Sequence, residues 1–233
     1  MGAKDYLIIP DIHIPMEHKN ALKFFLKLKD DYNIPDQNVY SVGDFLDEFH
    51  FGAYPKGADF PITPIQEIEI ARKKIKEWGK AFPLLNICMG NHEERLMKRV
   101  FEAELPSVIV KSLREIYQFP SLWTLEECFV LPTKSPVLVI HGHGEGIKAS
   151  NLARNALQFG MSVAFGHFHS MGGVQYLETL TLNKVFGMCV AACVDRESFA
   201  FKYGRNAANK VTNGAGVILD NGRTALFHPL LED

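Results

Sequence analysis

Apolar and polar positions alternate in texture along the 233 residues, and the texture changes halfway. "DYLIIP" is a short apolar strand, and "HKNALKFFLKLKDDY" carries apolar residues at helical spacing and ends near Pro35. "NVYSV" predicts a second strand. "TPIQEIEIARKKIKEWGKAF" predicts an amphipathic helix with Thr63 as N-cap and Pro64 in its first turn. "LLNICM" predicts a third strand, and "EERLMKRVFEAEL" and "PSVIVKSLREIYQF" continue as helices. Strand and helix in alternation imply a largely parallel sheet with helices packed on it.

Further on, "CFVLP", "PVLVIHG" and "SVAFGH" read as strands, with a helix over "KASNLARNALQFG". After them come strands and turns, with Asn183-Lys184 as one hairpin tip and "DNGRTALFHPL" as a second hairpin. The expected architecture is α/β, a two-sheet mixed β-sandwich flanked by helices. No linker, charge block or repeat interrupts it, so residues 1–233 are expected to form a single domain.

Composition adds limits. An apolar content of 47% supports a substantial core, and a formal charge of -2 argues against a surface that grips long nucleic acid throughout. The first apolar run is too short for a signal peptide and no stretch reaches the ~18–20 apolar residues of a membrane span, so a cytoplasmic location without a membrane partner is expected. Cys88, Cys128, Cys189 and Cys193 lie in apolar stretches without metal-ligand spacing and are expected as buried free thiols. Trp78, Trp123 and the Phe-rich helix are expected in the core, and His18, His50 and His228 at the surface or in hairpins.

Five apolar strands end in polar residues that suit a metal: Asp11 and His13, Asp44, Asn91 and His92, His141 and His143, and His167 with His169. Six of the nine histidines fall in these five loops. Each signal alone is weak, since an Asp-x-His is commonly a turn. Five together, each at a strand end where α/β sheets gather ligands, point to one site. Carboxylate, imidazole and amide without thiolate suit manganese, iron, zinc, cobalt or nickel.

The ordered set D-x-H (11–13), G-D-x-x-D (43–47), G-N-H-E (90–93), H-G-H (141–143) and G-H-x-H (166–169) resembles the calcineurin-like metallophosphoesterase family. That resemblance implies the family's four-layer αββα fold in a small, uncapped form. It also implies two divalent ions, with manganese expected. Asp11, His13 and His169 would hold one ion, Asn91, His141 and His167 the second, and Asp44 would bridge them. The implied activity is hydrolysis of a phosphomonoester or phosphodiester, such as a nucleotide, by a metal-bridging hydroxide. His92 would protonate the leaving oxygen or bind a phosphate oxygen, and Asp47 would act with it by fixing a histidine's orientation.

Glu93 has two readings, a partner of a histidine or a helix N-terminal acid. Arg95 is read as a solvated helix residue that could reach a substrate phosphate, and His143 as a pocket or structural residue. The segment 48–64 and the tail with Arg196, Lys202, Arg205 and Lys210 could contact bases and phosphates or be plain surface. Nucleic acid is therefore a possible partner, and oligomeric state is left open. Two alternatives stand beside a small-phosphoester hydrolase: an exonuclease of the same family, and a non-catalytic scaffold, which would have lost ligands that this chain keeps.

Overall fold

A computed structural model describes residues 4–52, 62–144, 146–178, 184–198 and 210–231. Residues 53–61 of the segment at 48–64, Asn183, Lys202 and Arg205 lie outside them.

The first sheet is built on β1 (Tyr6–Ile9), β2 (Val39–Ser41), β3 (Asn86–Cys88) and β4 (Thr124–Glu126), all parallel. The antiparallel strands β10 (Gly214–Leu219) and β11 (Thr224–Pro229) extend it beside β1, giving the order β11-β10-β1-β2-β3-β4. The second sheet contains β5 (Cys128–Leu131), β6 (Val137–Ile140), β7 (Ser162–Phe165), β8 (Gly172–Glu178) and β9 (Lys184–Val190), in the order β5-β6-β7-β9-β8.

Strand alternation sorts the core into layers. On β1, Leu7 and Ile9 pack toward α1 (Ala21–Asp31), α2 (Pro64–Ala81) and α4 (Leu113–Tyr117), where they meet Phe25, Ile75, Trp78 and Tyr117. Tyr6 and Ile8 face the other way, into a layer shared with Val139, Ala164, Met188 and Val190 of the second sheet. Val163 and Phe165 then pack against Leu152 and Ala156 of α5 (Leu152–Phe159). The result is helix, sheet, sheet, helix, the mixed α/β sandwich expected. A fully buried strand such as β1 explains why its apolar run is unbroken: both faces need side chains.

Thr63 caps α2 as its sequence predicts, in a reciprocal capping box with Gln66. Elsewhere the expected elements shift. "PSVIVKSLREIYQF" is one 3-10 turn at Ser107–Ile109 followed by the five-residue α4, because Ser112 is extended and its side chain caps Glu115 N–H. Val108 and Ile109 are left exposed. The helix predicted over "EERLMKRVFEAEL" begins only at α3 (Arg95–Glu102), after a turn over 91–94. The three-residue β4 was not expected; it is a half-exposed strand on the sheet edge, with no apolar run to announce it. His18 is buried, its ring accepting from Asn20 N–H, and Cys128 is exposed, both against expectation.

Phe45 ties this core to the loop after β2. Its ring lies 5.4 Å from Trp78 and 5.4 Å from Trp123, between Asp44 and the loop's second aspartate, Asp47. Phe45→Ala is expected to cost about 3–5 kcal/mol of stability in denaturant titrations, as a large buried aromatic deletion.

Candidate metal centre

The loops that follow β1, β2, β3, β6 and β7 converge at one end of the sandwich. Four of their non-glycine residues, His13, Asp44, Glu48 and His167, sit in the left-handed backbone region, with φ of 55°, 44°, 47° and 66°. Non-glycine residues held there cost ~1–3 kcal/mol each and persist where surrounding structure over-determines them. Two motif glycines are needed for close approach. A Cβ on Gly90 would stand 2.3 Å from Asp44 Oδ1, and one on Gly166 would stand 2.0 Å from Asp11 Oδ1.

Asp11, His13, Asp44 and His169 each offer one ligand atom within 4.8 Å of the others; Asp44, His141 and His167 form a second such set. His169 Nε2 is 3.1 Å from both His13 Nε2 and Asp11 Oδ2. Asp44 Oδ2 is 3.2 Å from His141 Nε2 and 3.8 Å from His13 Nε2, so one oxygen reaches both sets. Asn91 Oδ1 approaches His141 Nε2 at 3.1 Å.

The tautomers follow from the other ring nitrogens. His13 Nδ1 donates to Asp47 Oδ1 at 2.9 Å, and His141 Nδ1 donates to the Val42 carbonyl at 3.2 Å. With the ring neutral, as a metal ligand must be, each presents an Nε2 lone pair to the centre. Burial, with the neighbouring His92, drives the His13 pKa down to about 4. Burial also opposes charge on His141, but Asp44 and Asp11 outweigh it and lift that pKa to about 10. Against burial, the surrounding imidazoles hold Asp44 well below the usual carboxylate range.

His92 turns its ring edge to His13, with centroids 4.3 Å apart. Its Nδ1 donates to the Asp47 carbonyl at 2.7 Å and its Nε2 lies 3.7 Å from Asp44 Oδ2. Burial would lower its pKa, but Asp44 and Asp47 raise it. Arg95 is not a solvated helix residue: Nη1 donates to the Asp47 carbonyl at 2.9 Å and Nη2 reaches His92 Nε2 at 2.5 Å. His143 sits beside this end, its ring 5.3 Å from that of His141, with Nε2 3.8 Å from Glu94 Oε1.

Glu93 is neither of the two things its sequence suggested. It lies in the turn before α3 and accepts N–H bonds from Asp44, Leu46 and Gly90 at 2.8–2.9 Å. Burial and the Asp44 charge push it up to about 7, against the pull of those donors. Two further glutamates, passed over in the sequence, do similar work. Glu48 accepts from Leu96 N–H at 2.8 Å, and Glu67 on α2 accepts from Phe49 and His50 N–H. The acid directly after G-D-x-x-D was the one visible signal for Glu48; nothing local marked Glu67.

The residues fit divalent ions. Asp11 is fully buried, and its Oδ2, which accepts the His167 N–H, faces His169 Nε2 at 3.1 Å, so a buried carboxylate charge stands open to a cation on that side. Oxygen and imidazole nitrogen ligands at ~2.1 Å from one ion stand roughly 3.0–3.4 Å apart, the spacing of His169 Nε2 from His13 Nε2 and from Asp11 Oδ2.

Gly166→Ala is expected to keep the circular dichroism of a folded protein but lose most bound metal by mass spectrometry, because the added Cβ displaces Asp11. A second expectation concerns pH. Burial pushes Glu48 up to about 9, against the Leu96 N–H and with Glu93 adding to the rise. The unfolded chain ionises this group near its ordinary value of 4.5 while the fold keeps it neutral, so its stability contribution is full below that value and is lost as pH climbs toward about 9. In metal-free protein, Glu48→Gln should match the wild-type unfolding free energy near about pH 4 and exceed it near about pH 8.

Among solved structures, the chain resembles that of a novel archaeal phosphodiesterase at 14% identity and a TM-score of 0.51, over 97% of this chain and 99% of that one. Weaker likenesses include Chaetomium thermophilum Vps29 (11% identity, TM-score 0.42, 98% and 97% covered). A putative diadenosine tetraphosphatase (13%, 0.41, 99% and 95%) is another. At these identities the likeness speaks to fold alone. No curated protein matches the sequence significantly. The family model described as calcineurin-like phosphoesterase matches residues 5–181, a span that holds all five converging loops. The chain belongs to the calcineurin-like phosphoesterase family.

Proposed function

We propose that the chain hydrolyses a phosphomonoester or phosphodiester, with a nucleotide or related small phosphoester as substrate. In this reading residues 1–233 act as one catalytic domain. Asp11, His13 and His169 hold one divalent ion, Asn91, His141 and His167 hold a second, and Asp44 is shared; manganese suits these ligands. The observation that carries the reading is the position of Asp44 Oδ2, within reach of imidazoles from both sets.

Two ions held there would supply Lewis-acid polarisation of the phosphoryl group and make a hydroxide nucleophile accessible near neutral pH. The chain's own residues do the rest. Asp11 and Asp44 remove two of the four positive charges, and the neutral amide of Asn91 removes none, so a phosphate anion is still drawn in. Asp47 holds the His13 ring from behind and presents its carbonyl to His92. As the water oxygen bonds to phosphorus and the ester P–O bond breaks, His92 delivers a proton to the departing oxygen.

Turnover of p-nitrophenyl phosphate and bis-p-nitrophenyl phosphate is to be assayed after chelation and again after manganese is restored. Activity on at least one, dependent on the metal, is expected; no turnover of either, with no metal bound, overturns the reading. A panel of nucleoside monophosphates, cyclic nucleotides and single-stranded DNA then separates a small-molecule hydrolase from an exonuclease. His92→Ala should retain metal and lose about 10²–10⁴-fold in kcat. Loss of metal instead would make His92 a ligand.

A further inference from the structure

Away from the metal centre, two turns from different sheets are locked together. Ser135 N–H, between β5 and β6, donates to the Asn221 carbonyl of the β10–β11 turn at 3.1 Å. The turns meet so closely that a Cβ on Gly222 would stand 2.1 Å from the Ser135 carbonyl oxygen. This contact brings Arg223 and Lys134 to one cavity of about 620 Å³, and Lys184, the first residue of β9, completes its cationic wall. From Lys184 to Val190, β9 runs seven residues, roughly 20 Å at ~3.3 Å each, and beyond its far end Ala192 bridges to Asp11. The cavity thus lies a strand's length from the metal centre.

Its cations have no internal use. Among the described residues, the side chains of Lys134, Lys184 and Arg223 make no hydrogen bond or ion pair. No acid lines this cavity. The α5 carbonyls nearest Gly160 and Met161 on its wall, those of Leu157 and Ala156, are taken by the N–H groups of these same two residues. Three like charges around an acid-free hollow focus a positive potential into it. A multiply charged phosphate chain relieves that repulsion, with Arg gripping two oxygens at once and each Lys acting as a point charge.

A second cavity of about 500 Å³ shares Lys184 and Arg223 but has different outer walls, Tyr176 and Glu178 among them. Tyr176 is 49% exposed, yet its ring is pinned: the hydroxyl donates to the Ala225 carbonyl at 3.1 Å and accepts the Ala225 N–H at 2.7 Å. A fixed, half-open aromatic ring beside cations is a platform on which a base stacks. The Glu178 carboxylate only accepts hydrogen bonds, so it repels a phosphate here and suits sugar hydroxyls. Each volume falls within the ~300–1,000 Å³ of small-ligand sites.

We propose that the two cavities form one nucleotide site, separate from the metal centre, that takes a free nucleoside polyphosphate. The base stacks on Tyr176, the sugar lies by Glu178, and the phosphates enter the acid-free cavity on Lys134, Lys184 and Arg223. The assignment is independent of the chemistry at the metal centre.

The test is calorimetric binding of a β,γ-methylene ATP analogue to manganese-loaded wild type, Lys134→Glu, Arg223→Glu, Tyr176→Ala and Tyr176→Phe. A nucleotide held at the metal centre reads out as a binding step that none of these variants changes. Each charge reversal is expected to weaken a distinct step by about 10–100-fold. Tyr176→Ala should weaken the same step by about 5–100-fold, while Tyr176→Phe, which keeps the ring, stays near wild type. No step sensitive to Lys134→Glu and Arg223→Glu overturns the proposal. Inorganic tripolyphosphate binding that step as tightly as the analogue also overturns it, because the base would then contribute nothing. A single-stranded oligodeoxyadenylate that binds more tightly, and is lost in the same variants, hands the site to a nucleic-acid strand and overturns the free-nucleotide assignment.

Discussion

One buried carboxylate organises this end of the molecule. Asp44 sits in a left-handed turn at the tip of β2, its Oδ1 accepting the His92 N–H and its Oδ2 facing imidazoles from both sheets. Neither sheet could supply that arrangement alone. The His13 loop lies on the first sheet, while His141 and His167 follow strands of the second, so the sandwich must close before the carboxylate meets all of them. The layer of Tyr6, Ile8, Val42, Val139, Ala164 and Met188 between the sheets is thus a condition of the site as well as of stability.

Concentrating acid and imidazole in a buried space is electrostatically expensive, and the surrounding loops show how it is managed. Glu93 gathers three N–H groups from the Asp44 and Gly90 turns, Glu48 holds the first turn of α3, and Glu67 holds Phe49 and His50 from α2. Glu93 and Glu67 spend both oxygens on backbone donors and Glu48 spends one, which fixes the loops without competing for the centre. Asp47 and the Val42 carbonyl do the equivalent for the histidines, selecting which nitrogen faces inward.

Much of this was legible in the sequence because it is local. Strand ends are marked by an abrupt change from apolar to Asp, Asn or His, and the close-approach glycines stand inside the motifs at 90 and 166. The two-sheet fold was legible because β1, β6 and β7 are buried on both faces and therefore read as unbroken apolar runs. What sequence hid is long-range. Glu67 reaches a loop 17–18 residues away, and Arg95 meets the Asp47 carbonyl across 48 residues; nothing adjacent to either announces it. The failed helix at 106–119 is a conflict between apolar periodicity and a local cap, which Ser112 and Glu115 decided. The missed β4 lacked the apolar signal because its own Thr124 and Glu126 face solvent.

The central claim is that Asp44 is shared by two ions. Anomalous diffraction from crystals soaked in manganese tests it most directly. Two peaks roughly 3.5–4 Å apart, on either side of Asp44 Oδ2, are predicted. A single peak, or two that both avoid Asp44, would contradict it.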